Sequence, residues 1–374
     1  MIIGIDGNEA NLEERVGVNT YAFELLWNLW KLQDEWKTRH TLIIYLKEKP
    51  REDLPKETQN FIYKIIPGGG KWILTKLTPN LFFDKLRPDV FFSPSHYIPF
   101  FAPVPVVCSI MDLGYLEFSG QFTKKVFWQL KYWSAISILV SKRIISISNS
   151  TKSDIVRHYP FSRGKIYVTH LAYDSKTFNT DISLDDVRRV KNKYSIVDDY
   201  ILYLGTLKPS KNIEGIVEAF AEISIKYPLI KLVIAGKKGW LFDSIFEKVK
   251  NYHLENRVIF TGFVEESDKA GLVKGAKVFV LPSFWEGFGL DVLSAMASGT
   301  PVVVSNVGSL PEVAGKAAVL VDPYNSQSVS KGIQSVLSMN TSDYNSIVKR
   351  GLSWVKHFSW EKTARETLKI LENV

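Results

Sequence analysis

One cysteine, Cys108, stands in 374 residues, so no intramolecular disulfide can form and a reducing compartment is expected. Six histidines, at positions 40, 96, 158, 170, 253 and 357, are separated by long spans and form no metal cluster of standard spacing. No Asp-x-Asp occurs, which leaves a metal-dependent transferase scheme without its anchor. Gly-x-Ser-x-Gly is missing too, so a serine hydrolase is not expected. No Gly-x-Gly-x-x-Gly follows the opening strand-like run Met1–Asp6, and a dinucleotide oxidoreductase lacks its fingerprint. The run Gly68-Gly-Gly-Lys-Trp72 fails as a phosphate loop, because Ile65 and Trp72 stand where Gly and Ser or Thr are required. It reads as a flexible loop. No stretch of about 18 apolar residues is present, so no membrane-spanning helix is expected. Met1–Asp6 carries no basic region, long apolar core or small-residue cleavage site, so a secretory leader is not expected either. These absences describe a cytoplasmic protein, or one held peripherally on the inner face of a membrane.

What is present is enough for two domains, with 45% hydrophobic residues over 374 positions. A formal charge of +8 with 10 Trp, 16 Tyr and 22 Phe leaves room for an acidic partner. Nucleic acid is not expected, since no dense Lys/Arg run, zinc pattern or RNA-binding aromatic motif occurs. An anionic membrane surface or a phosphorylated substrate fits better, against the plain alternative of a basic surface with no specific partner.

Apolar runs at Met1–Asp6, Thr41–Leu46 and Phe61–Ile66 predict strands, and Asn19 to Asp34 predicts a helix. Lys71 to Lys85 is a helix candidate with Trp72, Leu74, Leu77, Leu81 and Phe82 on a core-facing side. Pro88–His96 and Val104–Leu113 are strands ending in polar residues, and His96 closes the first of them. Phe122 to Val140 is helical, aromatic and basic, with more rings than one buried stripe holds. It reads either as a membrane-interface helix with snorkelling lysines or as a core helix with a solvated basic face. Arg143–Ser150 enters a helix capped by Ser148 or Ser150. After the strand Lys165–His170, the polar stretch 179–199 marks the crossing to a second domain. That domain has strands at Tyr200–Gly205, Leu229–Gly236, Val258–Gly262, Val278–Pro282 and Pro301–Ser305.

The organising stretch lies between the last two of these. In Phe284-Trp-Glu-Gly-Phe-Gly-Leu290, Glu286 is the acid of a strand-to-helix loop, and Gly287 and Gly289 flank an aromatic. Glycines admit close backbone approach, and a helix N-terminus offers free N–H groups and a positive dipole. The residues suit a ligand that carries both an anion and hydroxyls. Tyr200–Gly205, followed by Thr206-Leu-Lys-Pro-Ser-Lys-Asn212 and a helix, again suits a phosphate.

Glu286-Gly-Phe-Gly-Leu290, Ala295-Met-Ala-Ser-Gly-Thr-Pro-Val-Val303 and Ser309-Leu-Pro-Glu-Val313 together resemble the donor segment of glycosyltransferase family 4. The resemblance implies an α/β chain of GT-B architecture, with two Rossmann-like doubly wound parallel-sheet domains facing across a cleft. It implies an acceptor domain over residues 1–178, a nucleotide-sugar donor domain over 179–357, and a helix, 358–374, packing back on the first domain. Trp354, Phe358 and Trp360 are expected in that last helix, and 174–178 as the closing turn of the first domain. The reaction implied is retaining and metal-independent, with no cofactor beyond the donor substrate. Glu286, Lys211 and Asp112 would be its catalytic residues. Gly17, Thr206, Phe263, Val264, Gly287, Phe288, Gly289, Leu290 and Ser294 would join Glu286 and Lys211 in binding the donor. His96, Met111 and Asp112 would meet the acceptor.

Three positions depart from the family pattern: Ser294 replaces its second Glu, Met111 its histidine, and Thr206 a common Arg. Serine can bond a ribose hydroxyl but not bidentately, as a carboxylate can. The expected activity is hexosyl transfer to a glycan or lipid-linked saccharide. Mannose from GDP-mannose is preferred, because Ser309–Val313 resembles the form in mannosyltransferases. The departures keep open a non-catalytic nucleotide-sugar-binding protein, and a sugar-nucleotide epimerase of the same fold needs no acceptor.

Overall fold

Short apolar runs such as Val106–Ile110 and Tyr200–Leu204 are buried along their whole length, as strands covered on both faces must be. The computed structural model describes residues 1–374, the side chain of Gln121 excepted. It divides into two units, Met1–Leu171 with Ser359–Val374, and Ala172–Phe358.

The first unit holds β1 (Ile2–Asp6), β2 (Thr41–Leu46), β3 (Phe61–Ile65), β4 (Val90–Ser93), β5 (Val106–Ile110), β6 (Arg143–Ser146) and β7 (Ile166–Val168). They form one sheet in the order β3-β2-β1-β4-β5-β6-β7, every pair parallel. The second unit holds β8 (Tyr200–Leu204), β9 (Lys231–Ala235), β10 (Val258–Gly262), β11 (Val278–Leu281), β12 (Val302–Ser305) and β13 (Val319–Val321). Their order is β10-β9-β8-β11-β12-β13, again parallel throughout. The architecture is two doubly wound α/β sheets. Each chain segment works outward from a central strand, returns, and works outward on the other side.

Several local expectations are refined. The first helix runs Val18–Lys31, with a short turn Gln33–Trp36 after it. Ser148 rather than Ser150 caps the helix Asn149–His158, its Oγ accepting from the Thr151 N–H at 3.0 Å. The 71–85 segment becomes a π-helical turn, Ile73–Leu77, and a short helix, Thr78–Phe83. That change of pitch carries Phe82 out of the core: Trp72, Leu77 and Leu81 are buried while Phe82 and Phe83 are exposed.

Residues 172–178 cluster with the second unit, and the stretch 179–199 contains the helix Leu184–Lys193 of that unit. Trp354 and Phe358 also stay there. Trp354 Nε1 donates to the Val313 carbonyl at 2.7 Å, and Phe358 meets Phe288 with ring centroids 6.0 Å apart. Trp354 and Phe358 are therefore not in the returning helix, which starts at Trp360. The helix Trp360–Glu372 packs in the first unit, where Trp360 lies 6.4 Å from Tyr21 and Glu372 bonds His40 at 2.7 Å.

The helix Leu184–Lys193 is held by the buried carboxylate of Asp268, which accepts from Arg189 (2.7 Å), Lys193 (2.6 Å) and Tyr194 (3.1 Å). Burial alone would raise this carboxyl, but the bonds from Lys193 and Arg189 overcome that and hold it below its ordinary value. A depressed folded-state pKa stabilises the native state above the unfolded value and ceases to do so as pH falls through the folded one. Asp268→Asn is therefore expected to melt well below the wild type at pH 7. The gap should narrow as the pH drops below about 4, and thermal melts across that range check it.

Candidate functional site

In the second sheet the loops after β8 and β11 leave in opposite directions, because β9 and β12 lie on opposite sides. Such a switch point, at the carboxyl ends of parallel strands, is where ligands seat in open α/β sheets. The loop after β8 enters the short helical turn Pro209–Lys211, and Asn212 follows in the left-handed region, φ 54°. That conformation is held by the Asn212 side chain, whose Nδ2 donates to the carbonyls of Pro282 (3.1 Å) and Pro323 (2.7 Å). The Phe284 N–H donates to the Ser210 carbonyl at 2.9 Å, joining the two loops directly. Lys211 is thereby set against the loop after β11, and its Nζ bonds the Glu286 carboxylate. Ser283 Oγ donates to the same Glu286 oxygen at 2.8 Å. The two side chains of the pair are 15% and 12% exposed, shielded yet reachable.

The Glu286 loop is fixed from behind. Ser309 Oγ lies 2.9 Å from both the Glu286 and Phe288 carbonyls, and Ser305 Oγ donates to the Ser283 carbonyl at 2.7 Å. Two glycines are required here. Gly289, at φ 96°, begins the helix Leu290–Ala297, and a Cβ there would come within 2.6 Å of Leu310. Gly308, at φ 63°, lies where a Cβ would press on the Glu286 backbone at 3.2 Å.

Phe288 is buried against Phe358, so its contribution to a ligand is confined to its main chain. Ser294 is buried in the helix Leu290–Ala297. Thr206 and Lys208 lie on the loop after β8, and the Lys208 ammonium sits 5.5 Å above the Trp240 ring. Past the end of β10, Phe263 is 59% exposed and Val264 is buried.

Sequence reasoning missed three participants. Ser283 and Ser305 look like ordinary strand-end serines, and nothing local marks them. Asp291, in the first turn of the helix Leu290–Ala297, is a carboxyl raised by burial, opposed chiefly by the Lys211 charge. It stands three positions before Ser294, on neighbouring turns of one helix face. A carboxyl in the first turn of that helix was readable as an acid, but not as a neighbour of Lys211.

The other expected residues belong to the first unit. Gly17, at φ 55°, precedes the helix Val18–Lys31. Met111 and Asp112 follow β5. The Met111 carbonyl accepts from Thr151 Oγ1 at 3.2 Å, and the exposed Asp112 accepts from the Gly114 N–H at 2.8 Å. His96 follows β4; burial pushes its imidazole down to about 4, so it is neutral at pH 7.

Among the described residues no group of three or more His, Cys, Asp or Glu gathers as a metal site, and no helix is long and apolar enough to cross a membrane. A hollow of about 580 Å³, lined by Asp199, Leu229, Lys277 and Tyr344 among others, lies at the amino ends of the second sheet's strands, away from Glu286.

Residues 187–354 match the model of the glycosyl transferases group 1 family. It is 36% identical over 234 residues to O-antigen chain mannosyltransferase B of Escherichia coli, covering 61% of this chain and 60% of that protein. It is 31% identical over 227 residues to the serotype-specific mannosyltransferase WbdA of Escherichia coli, covering 59% of this chain and 27% of that protein. The chain thus spans less than two thirds of these relatives. Among solved structures, sucrose-phosphate synthase from Thermosynechococcus elongatus matches with a TM-score of 0.76 at 19% identity, over 100% of this chain and 98% of that one. HepE of Anabaena, in complex with UDP and glucose, matches at 0.73 and 16% identity, over 100% and 99%. These likenesses show a shared GT-B fold.

Ser309→Ala removes a buried hydroxyl and leaves the Glu286 and Phe288 carbonyls short of a donor. A loss of about 1–2 kcal/mol is expected, a fall of roughly 2–4 °C in melting temperature for a unit of this size. An unchanged melt would mean that Ser309 does not hold the loop.

Proposed function

We propose that this chain transfers a hexose, with mannose preferred, from a nucleoside-diphosphate sugar to a glycan or lipid-linked saccharide. Transfer would retain the anomeric configuration and need no metal ion. The observation that carries this reading is the Lys211–Glu286 pair at the switch point of the second sheet, beside the N-terminus of the helix Leu290–Ala297. The family match supports it, and the two mannosyltransferase relatives support mannose.

When the glycosidic C–O bond of the donor breaks, the diphosphate gains charge. Lys211 and the amides of Gly287–Leu290 are arranged to stabilise that charge before it develops. In the unliganded pair Lys211 and Glu286 neutralise each other. A diphosphate competes for the ammonium, and Glu286 is then released to accept hydroxyl hydrogens of the sugar. Asp291 supplies a carboxyl near the position where Ser294 departs from the family pattern. Asp112, an exposed carboxylate after β5, would orient or deprotonate the acceptor hydroxyl. The rival reading, donor binding without turnover, rests on Ser294, Met111 and Thr206.

Lys211→Ala is expected to weaken GDP binding about tenfold or more, as loss of a charge-assisted contact should. Glu286→Gln should cut turnover about a hundredfold while the melting temperature holds. Both are to be measured with EDTA present. Equal nucleotide affinity in the lysine variant, or undiminished turnover in the glutamine variant, would remove that residue from the scheme. Donor binding with no turnover on any acceptor would favour the rival reading.

Membrane association is part of the proposal. The helix Lys124–Val140 buries Ser134, Ser137 and Ile138 and leaves Trp128 and Tyr132 exposed and stacked, 5.4 Å apart. Lys131 Nζ lies 4.9 Å from the Trp128 ring. Phe127 and Trp133 pack inward, against Tyr115 and Phe100, while Trp128 and Tyr132 remain free for an interface in which aromatics and lysines suit anionic lipid. Co-sedimentation with anionic phospholipid vesicles is expected, falling with salt and in Trp128→Ser/Tyr132→Ser. Equal sedimentation with zwitterionic vesicles, or none with either, would count against it.

A further inference from the structure

The hollow at the amino ends of the second sheet lies at the edge opposite Lys211 and Glu286, and glycosyl transfer gives it no role. It is built where three neighbouring strands begin: Asp199 precedes β8, Leu229 and Ile230 precede β9, and Lys277 precedes β11. The last turn of the helix Ile213–Lys226 closes one side. The segment that joins the helices Ser326–Leu337 and Thr341–Trp354 closes another. The main chain around it is pinned. The Lys231 N–H donates to the Asp199 carbonyl and the Lys277 N–H to the Tyr200 carbonyl, each at 2.9 Å. Arg257 Nη2 donates to the carbonyls of Tyr227 (2.9 Å) and Ile230 (2.7 Å), which fixes the turn that carries Leu229. Tyr344 Oη donates to the Lys277 carbonyl at 3.2 Å. A space of about 580 Å³, formed in advance by such bonds, has the size of a small-ligand site.

Most of the lining is apolar. Ile230 and Val336 are buried, while Leu229, on the pinned turn, is 74% exposed. A leucine held out by a fixed main chain cannot leave the water by itself, and an apolar ligand body would cover it. Three charged side chains complete the lining. Asp199 and Lys277 pair at 3.2 Å and cancel. Lys226 is left over: its Nζ meets only the neutral Gln334 Oε1, at 3.4 Å, and the Tyr227 ring, 5.6 Å away. No carboxylate pairs with it among the described residues. One uncompensated positive charge therefore stands over an apolar floor. A nucleotide would need more cations than this, and a sugar more hydrogen-bonding groups. An apolar body with a single negative charge matches both features.

We propose that this hollow is a second ligand site, which takes a small apolar monocarboxylate, with Lys226 binding the anion and Leu229 covered by the apolar body. No residue around Glu286 takes part, so the site stands independently of the donor reading.

Saturation-transfer NMR titrations of the full chain with octanoate, 1-octanol and octylammonium test this, since the three share one apolar body and differ in charge. Octanoate is expected to bind saturably, and the alcohol and the amine about tenfold more weakly. Lys226→Ala should weaken octanoate about tenfold and leave octanol unchanged, whereas Leu229→Ser should weaken both. Both side chains are exposed, so the folded state should survive either change, and thermal melts verify it. Octanoate binding should persist with saturating GDP and in Trp128→Ser/Tyr132→Ser, which removes the exposed rings of the first unit. Equal octanoate binding in the Lys226 and Leu229 variants overturns the proposal, as does octylammonium binding as tight as octanoate. Displacement by GDP, loss of binding in the Trp128/Tyr132 variant, or uptake that never saturates overturns it equally.

Discussion

The side-chain amide of Asn212 holds together the ends of three strands. Its two hydrogen bonds, to the carbonyls of Pro282 and Pro323, join the loop after β8 to the loops after β11 and β13. The left-handed backbone at Asn212 is unfavourable for most side chains, and Asn is among the few that tolerate it. Both bonds are buried, so losing them would strand two carbonyls without water. Lys211 precedes this residue in the chain, and its reach to Glu286 follows from the knot. A lysine free to swing would lose more conformational entropy in forming that contact.

Around that knot the second unit uses small hydroxyls where larger groups would not fit. Ser283, Ser305 and Ser309 are buried, and each satisfies a carbonyl or carboxylate of the Glu286 loop. With the glycine conformations at 289 and 308, they make a loop that is rigid before any ligand arrives. Preorganisation of this kind gives fixed dipoles their advantage over water in stabilising a developing charge.

The two sheets apply one topological rule to opposite electrostatics. The second switch point sets a lysine and a helix N-terminus beside one another, which suits phosphate. The first sets the carboxyls of Asp6 and Glu9 together just past β1, both raised by burial. Parallel strands bring all carboxyl ends to one edge of a sheet, and the reversal in strand order opens a gap there. What fills the gap is decided by a few loop residues and not by the fold.

Much of this was legible in the chain itself. Apolar runs marked the strands, the alternation with helices marked two parallel sheets, and the motif residues from Glu286 to Val313 lie within the stretch that matches the group 1 glycosyl transferases. Helix pitch at 73–83, the exit of Phe82 from the core, and the retention of Trp354 and Phe358 in the second unit were not legible, because periodicity does not say which neighbour a face will meet. The sequence by itself determined which segments are strands, which loops carry glycines, and that Glu286 and Lys211 lie on strand-to-helix loops. Tertiary structure alone decided that these two, 75 residues apart, form an ion pair. It also decided that Asp291 is desolvated near them and that Asp6, Glu9 and Tyr97 share one strand edge. Such contacts depend on the order of strands in the sheet, and that order is set by packing the whole chain at once.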